Sequence, residues 1–162
     1  MNTLFRTCLI SSLVSVGAVL MQASPIVAYS DPVGAGNQTF AGSLGMDFTV
    51  NSAAGINVYS VGAFDSGQDG FTKTLTLSFY NLANTATPVF TTSIPTGTGG
   101  TVVGGDRFYS LALPLFLGQG SYSIVTQGFS ASDPNGKSNP YGAGGNYATL
   151  NTGGGLISFV GN

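Results

Sequence analysis

The sequence predicts an all-β domain, an antiparallel two-sheet β-sandwich of jelly-roll type with about eight strands, preceded by a signal peptide. Three observations carry that expectation. Short apolar runs alternate with polar residues at period two, Gly, Asn, Asp and Pro punctuate them, and no helical periodicity persists beyond residue 30.

The first thirty residues read as an export signal. Arg6 supplies the basic head, and residues 8–21, CLISSLVSVGAVLM, form an apolar run too short for a bilayer-spanning helix. Ala28 and Ser30 suit the −3 and −1 positions of a cleavage site before Asp31. The expected organisation is a signal over 1–30 and one β-sandwich domain over 31–162, with no membrane association after cleavage.

The strands follow in order. In residues 43–50, SLGMDFTV, Leu44, Met46, Phe48 and Val50 share one face. Residues 55–64, GINVYSVGAF, are β-branched and aromatic, with Gly62 marking a bulge. TKTLTLSFYN (72–81) sends Leu75, Leu77 and Phe79 inward and Thr74, Thr76, Ser78 and Tyr80 outward. PVFTTSI (88–94) precedes a loop over 95–106. In RFYSLALPLFL (107–117), Leu111, Leu113, Leu115 and Leu117 alternate with Ala112, Pro114 and Phe116, and Pro114 places the strand at an edge or interrupts it. GQG then turns into SYSIVTQGFS (121–130), expected as its antiparallel neighbour. A polar loop over 131–146 leads to two last strands, NYATLN and GLISFVG.

Composition excludes much chemistry. The chain beyond residue 30 contains no Cys, His, Trp or Glu. Disulfides, Ser-His or Cys-His nucleophiles and zinc sites with His or Cys ligands are therefore absent from it. Its only basic residues there are Lys73, Arg107 and Lys137, too few to neutralise a phosphate backbone, so nucleic acid is not an expected partner. With 6% charged residues, solubility rests on Ser, Thr, Asn and backbone amides, a style suited to an exported protein at the cell surface or in a matrix.

Residues 63–71, AFDSGQDGF, are the most chemical-looking stretch. Asp65 and Asp69 resemble the start of a calcium loop, although position three is Gly67 and position twelve is Thr76, which excludes an EF-hand. A sandwich-type calcium site using Asp65 and Asp69 remains an expectation to test. Ala63-Phe64-Asp65-Ser66-Gly67 also looks like the hydrophobic-hydrophobic-Asp-Ser-Gly signature of aspartic proteases; such an enzyme needs two carboxylates, hence a homodimer, and Gln68 stands where that family has a small residue. The third reading, which the inventory favours, is a turn whose glycines take positive φ.

Ser132-Asp133-Pro134-Asn135-Gly136-Lys137 is a second strong turn signal. The loop around it carries Asn139, Tyr141, Asn146 and Tyr147, amides and rings of the kind that bind polysaccharide, though Trp, the best stacking residue, is missing. Asn37-Gln38-Thr39 is a formal glycosylation sequon.

Residues 37–70, 102–139 and 153–161 together resemble an exported domain of environmental bacteria, frequent in proteins sorted by the PEP-CTERM/exosortase system. The matching features are LGMDF, AFDSGQDG and SYSIVTQG, which are strands and turns rather than a catalytic signature. The resemblance implies a secreted β-sandwich at the cell surface or in extracellular matrix and implies no activity. The Pro-Glu-Pro sorting tag is not present, so the protein is expected either to be released or to lack a C-terminal portion. The leading expectation is thus a non-enzymatic surface or matrix protein, followed by a carbohydrate-binding module assisted by calcium, and distantly by an aspartic-type hydrolase.

Overall fold

The computed structural model describes residues 24–136 and 148–160. Their strands are β1 (Tyr29–Ser30), β2 (Leu44–Val50), β3 (Ile56–Phe64), β4 (Leu75–Asn81) and β5 (Phe90–Ile94), then β6 (Thr101–Val103), β7 (Asp106–Leu117), β8 (Gly120–Gln127), β9 (Thr149–Leu150) and β10 (Ile157–Phe159). All pairing is antiparallel. A larger sheet has the order β10-β2-β8-β4-β5, a smaller one β3-β7-β6, and β1 pairs with β9. The fold is an all-β sandwich, as its period-two patterning requires.

Alternation makes the two inner faces. Leu75, Leu77 and Phe79 of β4 and Phe48 and Val50 of β2 are buried in one core with Val61, Ala63 and Leu117 of the smaller sheet. Phe48 stacks on Tyr122 at 5.8 Å between ring centroids and meets Phe79 edge-on at 6.3 Å. Ser78 departs from its expected outward place: it is buried and hydrogen-bonds Thr91 through the hydroxyls at 3.0 Å.

Three further expectations need correction. First, β8 is not the neighbour of β7 but lies between β2 and β4 in the other sheet. Gly120, at φ 155°, lets the chain turn the corner, and the Tyr122 hydroxyl fixes it by donating to the Gly118 carbonyl at 3.0 Å. Second, the irregularity of β3 falls at Tyr59 rather than Gly62. Val58 pairs with Leu115 and Ser60 with Ser110, so residues 111–114 of β7 bulge opposite Tyr59 alone. Pro114, which has no amide hydrogen to give a ladder, sits in that bulge, and Leu113 there is 80% exposed while Leu117 is buried. The uniform leucine face is therefore broken. Gly62 keeps regular register, and a Cβ on it would approach the Phe108 ring to 2.8 Å. Third, the expected loop 95–106 contains β6, a short hairpin partner of β7.

Residues 24–30, placed by sequence at the end of the export signal, lie against this body. Tyr29 and Ser30 pair with Leu150 and Thr149, Ala28 packs on the core, and the Tyr29 ring tilts against Phe159 at 6.5 Å.

Truncating a fully enclosed β4 side chain is expected to be costly. Leu77→Ala should lower unfolding free energy by about 2–5 kcal/mol, whereas Leu113→Ala should shift it by no more than about 0.5 kcal/mol. Urea denaturation of both variants measures the contrast.

Candidate functional site

The acidic turn follows β3 directly. Ser66–Gln68 form a 3-10 turn in which Gly67 has φ 80° and Gln68 has φ 62°. Gln68 holds this left-handed conformation, uncommon outside glycine, while its side-chain amide donates to the Gly104 carbonyl at 2.7 Å. Asp65 is 1% exposed. Its carboxylate accepts from the Gly70 amide at 3.0 Å and from Arg107 Nε at 2.7 Å, with Arg107 Nη2 at 2.6 Å. The guanidinium spends its remaining donors on backbone: Nη1 to Thr98 O at 2.6 Å and Gly99 O at 3.1 Å, Nη2 to Gln68 O at 3.1 Å. This is the fork geometry that makes arginine suited to buried pairs. Gly36 N donates to Ser66 Oγ at 3.0 Å and Gly67 N to Gly34 O at 3.1 Å, joining the N-terminal segment to the same knot.

Asp65 turns inward to Arg107, and Asp69 is exposed. Among the described residues no group of three or more His, Cys, Asp or Glu side chains gathers in metal-holding range. Asn139, Tyr141, Asn146 and Tyr147 lie outside the described residues. The stem before them is anchored: Asp133 accepts from Thr72 N at 2.8 Å and from the Thr72 hydroxyl, and Asn135 N donates to Gln38 O at 2.8 Å.

A second acidic centre escaped the sequence reading. Asp106 and Arg107 are consecutive on β7, so their side chains leave opposite faces. Arg107 meets Asp65, while Asp106 Oδ2 accepts from the Asp31 amide at 2.6 Å, with Tyr29 Oη donating to Asp31 Oδ1 at 3.3 Å. Asp31 and Asp106 are 6% and 4% exposed. Burial, with the charge of Asp31 adding to it, raises the Asp106 pKa to about 7, against the lowering effect of the Asp31 amide. Burial likewise pushes the Tyr29 phenol upward, helped by the charges of Asp31 and Asp106. The only sequence signal is the scarcity of charge itself, because Asp106 falls at the end of the loop expected over 95–106.

Beside this centre lies a cavity of about 750 Å³. The inner face of β2 and Ile124 form one wall, and β3 along its length forms another. Residues 24–29 line a third side, and Asp31, Asp106 and Asn135 are at the Phe64 end.

No protein-family profile, curated protein or solved structure matches the chain.

Removing the cation from the Asp65 pair should expose the cost of a lone buried carboxylate. Arg107→Met is expected to destabilise by about 3–5 kcal/mol, and Arg107→Met with Asp65→Leu to recover part of that loss, in denaturant titrations at neutral pH.

Asp106 makes a separate, pH-dependent contribution. Its folded pKa of about 7 stands above the ordinary 3.8, so the native state holds the extra proton between those values. The contribution of this group to stability is full below about pH 4 and is lost as pH rises to about 7. Asp106→Asn should remove that decline, read as a flatter melting temperature across the window.

Proposed function

We propose that this chain is a secreted, non-enzymatic β-sandwich that serves in interactions at the cell surface or in extracellular matrix. The observation that carries this reading is the engagement of the acidic turn. Asp65 is bound to Arg107 and to the Gly70 amide, and the turn holds three loop segments together. A buried carboxylate whose oxygens are taken by a guanidinium and a backbone amide braces the loops around it and has no oxygen turned to a substrate. The sparse charge of the chain and the resemblance of its strands and turns to exported, exosortase-associated domains support the same reading.

A carbohydrate-binding role is the second reading. It is favoured by the anchoring of the chain on either side of Asn139, Tyr141, Asn146 and Tyr147 in the sequence, where Asn135 N donates to Gln38 O and Thr149 pairs with Ser30. Rigid stems lower the ordering cost of presenting amides and rings to a sugar. Calcium at the exposed Asp69, completed by backbone carbonyls and water, would assist it.

Glycan-array and polysaccharide pull-down measurements separate the two. Under the first reading no glycan is retained. Under the second, retention falls at least about tenfold in Tyr141→Ala with Tyr147→Ala. A rise in melting temperature with millimolar calcium that disappears in Asp69→Asn would assign the ion, and hydrolysis of peptide substrates that vanishes in Asp65→Asn would overturn the non-enzymatic reading.

A further inference from the structure

Residues 24–30 precede the cleavage site expected before Asp31, yet they are built into the fold on two sides. On one side, Tyr29 and Ser30 give β9 its ladder partner among the described residues. The Asn151 amide extends that ladder by donating to the Ala28 carbonyl at 2.8 Å. On the other side, the Gly105 amide donates to the Asp31 carbonyl at 2.6 Å, and the Asp31 amide to Asp106 Oδ2 at 2.6 Å. Gly104, at φ 60°, lies so close to Ser30 that a Cβ on it would strike the Ser30 hydroxyl. Apolar contacts follow the same path. Ala28 packs on the core, the Tyr29 ring tilts against Phe159, and Ile26 Cδ1 would stand 3.0 Å from a Cβ on Gly153.

A cut before Asp31 would discard the contacts of residues 24–30. It would take from Thr149 and Leu150 their partner strand, remove one side of the cavity and turn the buried Asp31 amide into a chain terminus. Backbone groups that lose a ladder must find water or stay unsatisfied. The sequence offers an earlier bond. Ala23 is the first small residue after the apolar run over 8–21, where the −1 position of a cleavage site belongs, although Met21 at −3 is larger than the usual residue there. Pro25, with its fixed φ, then biases Ser24 toward extended backbone.

We propose that the export cut falls between Ala23 and Ser24, and that residues 24–30 stay in the mature protein, clamped between β9 and the turn joining β6 to β7. The assignment rests on the secreted reading of the chain. It moves the processing site upstream of the small-residue pair Ala28 and Ser30, which serves the fold instead.

The test expresses the full chain from Met1 in a secreting bacterial host and reads the amino terminus of the exported protein by sequencing and intact mass. A terminus at Ser24 is expected. Ala23→Arg should stop processing and leave uncut precursor. Tyr29→Ala should lower the melting temperature of the exported protein by about 5 °C or more, a shift that a segment already removed could not cause. A terminus at Asp31, unaltered processing in Ala23→Arg, or an unchanged melting temperature in Tyr29→Ala overturns the assignment. A chain that is not exported overturns the secreted reading and the cut with it, whereas export with an Asp31 terminus overturns the cut alone.

Discussion

The pair between Asp65 and Arg107 is the interaction on which the rest of the arrangement depends. Two charges removed from water cost several kcal/mol each unless their remaining donors and acceptors are satisfied. Here the guanidinium reaches one carboxylate and three carbonyls, those of Thr98, Gly99 and Gln68. The carboxylate takes a backbone amide besides. Each bond fixes a different piece of chain, so the end of β3, the start of β7 and the loop before β6 share one position. Their coordinates follow from satisfying an ion pair rather than from apolar packing.

Scarcity of cations shapes the other buried acids. With Arg107 bound to Asp65, the buried Asp106 and Asp133 are met by other groups among the described residues. Asp133 accepts from the backbone amide and the hydroxyl of Thr72, so both its oxygens have partners. Asp106 takes the amide of Asp31 but lies beside that residue's carboxyl, and its burial favours the proton instead. Two consecutive residues of one strand thus have opposite electrostatic fates. The reason is the period of two, which sends Arg107 to one face and Asp106 to the other.

Much of the fold was legible because strand alternation is a local property. Leu75, Leu77 and Phe79 stand at period two in the sequence and are buried together, and the same is true of Phe48 and Val50. What was illegible depends on the partner strand. Nothing local says that β8 crosses to the other sheet, since GQG also suits a hairpin; the choice is made by Tyr122 and Ile124, whose faces match β2 and β4. The bulge was expected at Gly62 because glycine is its usual mark, yet the extra residues belong to β7 around Pro114. In the acidic turn, the sequence supplied both aspartates and the permissive glycines but not the partner. Arg107 lies 42 positions away from Asp65, and only the pairing of β3 with β7, which sets Ala63 opposite Arg107, brings it in.

The same pairing changes character along the smaller sheet. From Ser60 to Phe64, β3 and β7 run in register, and the charged knot and β6 brace that end. Beyond the bulge, β7 continues only from Leu115 to Leu117 against Ile56 to Val58. Of the four residues at the break, Ala112, Leu113 and Pro114 are exposed, while Leu111 still packs against the core. A strand that kept its alternation would have pressed Leu113 inward and tightened the gap between the sheets. Pro114 works against such a ladder because it has no hydrogen to donate, so the bulge has its origin in the sequence of β7. Smaller residues on the β2 wall would widen the opening; Met46, long and unbranched, is instead suited to adjust to whatever the space holds.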